Sequence, residues 1–95
     1  MSDTATSVPS RTVAILNKRG LHARAAAKFV QTVSRFQAEI QVSKDGQTVP
    51  GASIMGLMML AATIGTSITM DAQGADAEAA LDALTLLVEG KFGEE

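Results

Sequence analysis

Ninety-five residues suit one domain with a single modest core, which leaves no capacity for a deep substrate cavity. Apolar residues make up 46% of the chain, but its only aromatics are three Phe, so Ala, Val, Ile, Leu and Met must build the core. A formal charge of −2 and so few aromatics argue against a nucleic-acid binder, and the absence of Cys removes disulfides, thiolate metal sites and thiol catalysis.

Residues 1–10 (MSDTATSVPS) are polar and aperiodic, with no apolar segment of the signal-peptide kind. We read them as a flexible N-terminal tail, and the chain as cytoplasmic. A first strand is expected over residues 12–17 (TVAILN), broken by Lys18-Arg19-Gly20. Over residues 22–36, Ala26, Phe29, Val30 and Val33 recur at helical spacing, opposite Lys28, Gln31, Ser34 and Arg35. Ala38, Ile40 and Val42 alternate with Glu39, Gln41 and Ser43, a half-buried strand. Asp45-Gly46 is a two-residue hairpin turn, Gln47-Thr48-Val49 the return strand, and Pro50-Gly51 its end.

Ser53 then opens a short helix carrying Ile54, Met55, Leu57, Met58, Met59 and Leu60. The apolar run of residues 54–64 is shorter than the ~20 residues of a membrane span, so no membrane insertion is expected. Residues 66–72 alternate again, with Ile68 and Met70 inward. Asp76 is a candidate cap for a last helix, whose stripe of Ala77, Ala80, Leu81, Leu84, Leu87 and Val88 ends at Gly90. The order β-α-β-β-α-β-α makes an α+β fold, with helices on one face of an antiparallel sheet and water on the other. Residues 11–91 form the single domain and residues 92–95 a short C-terminal tail.

The chain has one His, His22, placed where Gly20 gives way to the first helix. The N–H groups that open a helix lack internal partners and, with the helix dipole, form an anion site. Arg24 adds a forked cation suited to phosphate oxygens. A neutral imidazole is a nucleophile near physiological pH, and its phosphoryl adduct is far more labile than a serine ester. Gly20-Leu21-His22-Ala23-Arg24 thus reads as a nucleophile beside a phosphate cradle. By position alone, an inert surface histidine beside a solvated arginine accounts for the pattern at least as well. A metal site lacks the second His or Cys that would complete a ligand set.

GLHARAAAKFV and the later SIMGLMML resemble the histidine-containing phosphocarrier (HPr) family of the bacterial phosphotransferase system. Its active-site segment typically reads G-[LI]-H-A-R-P-A and its second signature S-I-M-G-[VL]-M; the resemblance runs from Thr12 to Gly90. It implies an open-faced β-sandwich: a four-stranded antiparallel sheet with three helices on one face. It also implies a stoichiometric carrier rather than an enzyme, with no cofactor and no metal. His22 would accept a phosphoryl group on Nδ1 from enzyme I and pass it to an enzyme IIA-type acceptor, with Arg24 holding the phosphate. Ser53 has a sufficient role as a helix N-cap; the family adds regulatory phosphorylation there, by an HPr kinase/phosphorylase, as a second reading.

One residue departs from the family pattern, since Ala25 stands where the family carries Pro. Alanine keeps helix propensity but leaves an extra N–H and a less rigid first turn. Phosphorylation is expected to survive, and the swap raises the prospect of a nitrogen-type regulatory branch instead of sugar uptake. A non-carrying interaction module of the same fold is the alternative of another class. Leu57 and Leu60 are the expected core residues of the short helix, and Ile54, Met55 and Met58 an exposed partner-binding patch. Met59 is open to either role, and the chain is expected to be a monomer.

Overall fold

The computed structural model describes residues 8–94. Strand β1 (Ser10–Ala14) is followed by helix α1 (Ala23–Val33), strands β2 (Glu39–Lys44) and β3 (Gln47–Pro50), helix α2 (Ile54–Met59), strand β4 (Ser67–Gln73) and helix α3 (Ala77–Glu89). The four strands form one antiparallel sheet in the order β1-β4-β2-β3. This is the expected α+β arrangement, with three helices and the order read from the sequence.

The period-2 patterns decide which face of the sheet is covered. Val13 pairs with Ile68, Val42 with Met70 and Ile40 with Ala72, and all six are buried. They meet Phe29 of α1, Leu57 of α2 and Leu81, Leu84 and Val88 of α3 in one core. On the other face polar pairs bridge the strands: Thr12 to Thr69 and Ser43 to Thr48, each at 3.0 Å. A one-residue slip would exchange these faces, so the apolar alternation also fixes the register. Asp45 and Gly46 close the β2–β3 hairpin with φ of 51° and 84°, the two left-handed positions of a primed turn.

Apart from β1 ending at Ala14, short of the expected residue 17, the structure departs from the sequence reading at three places. Ser10 already pairs with Asp71 and belongs to β1, while residues 1–7 of the expected tail lie outside the described residues. Asp76 precedes α3, but its carboxylate does not cap that helix; it accepts from the N–H of Gln37 at 2.7 Å. Gln37 in turn accepts from the N–H of Asp76 at 3.0 Å, and this exchange ties the start of α3 to the α1–β2 loop.

The third departure is the C-terminal segment read as a tail. Lys91–Gly93 form a 3-10 turn that folds back on the domain, and Phe92 is 1% exposed. Lys91, Phe92 and Gly93 have φ of 60°, 55° and 79° in succession. Left-handed backbone costs about 1 kcal/mol or more at each of the two non-glycine residues. Burying a Phe side chain returns about 1.5–3 kcal/mol, and the Phe92 carbonyl accepts from Lys28 Nζ at 2.7 Å. Burial of one aromatic thus holds a reversal that composition alone does not announce.

Phe92→Ala should lower the unfolding free energy by about 3–5 kcal/mol in urea titration, the usual range for emptying a Phe site in a core. A loss below about 1 kcal/mol would show that the turn is not part of the core.

Candidate functional site

The loop between β1 and α1 is fixed by backbone contacts. Ile15 continues the pairing beyond β1, donating to the Thr66 carbonyl at 2.8 Å and accepting from Gly65 at 2.9 Å. Gly20 has a φ of 65°, and a Cβ there would lie 2.3 Å from the Ala62 carbonyl oxygen. Only glycine satisfies both conditions. Leu21, buried at 5% exposure, then donates its N–H to the same carbonyl at 2.9 Å. His22 follows as the N-cap of α1, in extended conformation, with its side chain 17% exposed.

Because the His22 side chain makes no capping bond, it does not occupy the N–H groups of the first turn. The first helical bond joins Ala26 N–H to the His22 carbonyl at 2.8 Å, so the N–H groups of Ala23, Arg24 and Ala25 precede it. Ala25 is buried, so its side chain packs inward where the sequence pattern has a proline. Arg24 is exposed, as are Lys18 and Arg19 on the preceding loop. These three exposed cations all lie within four residues of the histidine along the chain.

Sequence reasoning did not find two members of the site, Asn17 and Glu94. His22 Nε2 hydrogen-bonds Glu94 Oε2. A carboxylate can only accept, so Nε2 carries the hydrogen, and whenever the ring is neutral Nδ1 is the nitrogen with the lone pair. Asn17, buried at 1% exposure, donates from Nδ2 to the Gly20 carbonyl at 2.8 Å and to Glu94 Oε2 at 3.1 Å. The His22 hydrogen bond foremost, then those of Asn17 and the charges of His22 and Arg19, hold the Glu94 carboxyl below its ordinary value; partial burial opposes them. The signal available in the sequence was Phe92, an aromatic inside a segment otherwise rich in Gly and Glu.

Ser53 is the N-cap of α2, its Oγ accepting from Gly56 N–H at 2.9 Å, and it takes no part in the His22 cluster. Ile54, Met55 and Met58 are 40%, 70% and 40% exposed. Met59, open to either role in the sequence, is exposed at 68%, while Leu57 and Leu60 are buried. Helix α2 packs against α1, and the Leu21–Ala62 hydrogen bond joins the His22 loop to the segment following α2. The apolar patch therefore adjoins the loop that carries His22. No group of three or more metal-ligating side chains occurs among the described residues, and no helix there is long and apolar enough to cross a membrane.

Residues 9–90 match the family model described as "PTS HPr component phosphorylation site". The chain belongs to the HPr family. It is 54% identical to the phosphocarrier protein HPr of Neisseria meningitidis over 84 residues, which is 88% of this chain and 94% of that one. A phosphocarrier protein NPr from Shewanella violacea is 48% identical, covering 88% of this chain and 92% of that protein. Among solved structures, HPr-C-His from Thermoanaerobacter tengcongensis superposes with a TM-score of 0.87 at 49% identity, covering 92% of this chain and 98% of that one. The family read from the two sequence signatures is thus the family found, and its open sheet with three helices is the fold observed.

A carboxyl whose value is lowered by folding contributes stability above its ordinary value of about 4.5, and that contribution is lost as pH falls through the lowered value. The turn carrying Phe92 and Glu94 should therefore loosen in acid, seen as amide NMR shifts of Gly93 and Glu94 moving together below pH of about 4.5. Glu94→Gln should abolish that transition; a Glu94→Gln protein with the same acid transition would contradict the assignment.

Proposed function

We propose that His22 is the phosphoryl acceptor of this HPr-family chain, taking the group from phospho-enzyme I and passing it to an enzyme IIA-type acceptor. The observation that carries the reading is the position of His22 as the N-cap of α1, with its side chain outside the capping role and Nε2 held by Glu94. Nδ1 is then the nucleophile, and the arriving phosphate oxygens meet the N–H groups of the first turn. Arg24, on the first turn itself, supplies a forked donor for the same oxygens. Ala25 adds an N–H that a proline would lack, a third donor at the helix start.

The chain works as a stoichiometric carrier within a phosphotransfer chain. It binds no small substrate in a cavity; the partner protein closes the site. Ile54, Met55 and Met58 form the docking surface, since flexible thioether side chains re-pack against different partners. Ser53 is the regulatory phosphorylation site, where an HPr kinase/phosphorylase would place roughly −2 charge beside that apolar surface. The protein acts in the cytoplasm, on the side of the membrane where phosphoenolpyruvate is available.

His22→Ala should accept no phosphate from phosphoenolpyruvate and enzyme I, while melting cooperatively like the parent. A His22→Ala protein that still gained an acid-labile phosphate would overturn the assignment. Arg24→Ala should slow transfer by about tenfold or more, the weight of one hydrogen bond to a charged group. An unchanged rate would remove Arg24 from the site. Ser53→Asp should likewise slow transfer from enzyme I, and equal kinetics would count against regulation at that position.

A further inference from the structure

Glu94 sets a carboxylate on the same ring that is to receive a phosphate, and the like charge by itself should hinder the carrier. Its surroundings show that it is held there. Phe92 is buried two residues before it, Lys28 Nζ donates to the Phe92 carbonyl, and buried Asn17 donates to Glu94 Oε2 itself. Three independent anchors keep a side chain from the end of the domain on a ring from its beginning.

The geometry assigns Glu94 as a positioning residue for phosphoryl transfer: its side-chain carboxylate holds the Nε2–H of His22, leaving Nδ1 as the nucleophile and favouring retention of the Nε2 proton once Nδ1 is phosphorylated. This inference rests on the proposed role of His22.

The step balances without moving a proton. The Nδ1 lone pair of neutral His22 attacks the phosphorus of a phosphoramidate donor on the partner. The new N–P bond forms as the donor N–P bond breaks, its electron pair returning to the donor nitrogen. Nε2 keeps its hydrogen, so His22 becomes a phosphoimidazolium whose ring carries one positive charge more than before. Glu94 then faces that charge through an existing hydrogen bond, as a carboxylate behind a catalytic imidazole does elsewhere. The protonated ring is also the better leaving group for onward transfer, since it departs as neutral imidazole. The other charged side chains on the elements around the ring are Lys18 and Arg19 on the loop, Arg24 and Lys28 on α1 with Arg35 just past its end, and Lys91 on the C-terminal turn. All are cations, which disfavour a charged ring, so Glu94 is the group that opposes them.

Ring-15N NMR on the full chain and on Glu94→Gln and Glu94→Ala, before and after phosphorylation with phosphoenolpyruvate and enzyme I, tests this. Before phosphorylation, parent and Glu94→Gln should show an Nε2–H protected from exchange, and Glu94→Ala should not. Absence of that resonance in the parent overturns the inference, whether or not His22 carries phosphate. After phosphorylation, the parent ring should keep its Nε2 proton to a pH about one unit higher than Glu94→Gln, a tenfold difference in proton affinity. A merely structural anchor would leave the two alike, and coincident titration curves overturn the inference. Absence of phosphate on all three proteins, with an enzyme I active on another carrier, would sink the carrier reading and with it this role for Glu94. Phosphate on Nε2 would sink the role of Glu94 and spare His22 as the acceptor.

Discussion

A carbonyl group pressed against a glycine determines where the reactive ring stands. Ala61, with φ of 53°, turns the chain after α2 and presents the Ala62 carbonyl to Gly20 and Leu21. At Gly20 there is no room for a Cβ, and at φ of 65° no preference for one. Leu21 is thereby buried and His22 left as the first residue at the helix threshold. The site is assembled from a loop, a helix start and the C-terminal turn, all resting on one core.

The cavities lined by Val8 and Ala77, by Lys28 and Leu87, and by Glu39 and Asp71 do not include His22, and the proposed chemistry suits a site that a partner protein closes. An enzyme that binds a small substrate must enclose it, whereas a carrier must present its group to two different proteins in turn. On the proposed reading, partly exposed His22, the neighbouring cations Lys18, Arg19 and Arg24 and the exposed apolar side chains of α2 meet that requirement with few residues. The unpartnered N–H groups of a helix start supply fixed dipoles that need no reorganisation when charge arrives. In the proposed mechanism Glu94 adds a counter-charge on the far nitrogen of the ring, so that the same imidazole would serve as nucleophile in one transfer and leaving group in the next.

Much of this was legible in the sequence, for physical reasons that also show where legibility stops. The strands were readable because Ile40, Val42, Ile68 and Met70 alternate with polar neighbours, and the helices because Phe29, Leu81, Leu84 and Val88 keep helical spacing. His22 and Arg24 could be singled out because local order alone brings them to a helix start. Asn17 and Glu94 could not: their meeting depends on the path of the C-terminal turn, and they are 77 residues apart. Lys91 and Phe92 adopt left-handed backbone, which neither residue type announces. Asp76 misled for the converse reason, since its capping chemistry was satisfied across the fold by Gln37 instead of by its own helix. Met59 was ambiguous because α2 is apolar on every side, so pattern alone could not choose its buried face.

The nature of the bond that phosphate forms tests the role of His22 most directly. Phosphorus-31 NMR of the protein after incubation with phosphoenolpyruvate and enzyme I reads that bond. A single phosphoramidate resonance, lost in mild acid and mapped to His22, is the expected result. A phosphate ester on Ser53 as the sole product, or no phosphorus signal with an enzyme I active on another carrier, would contradict it.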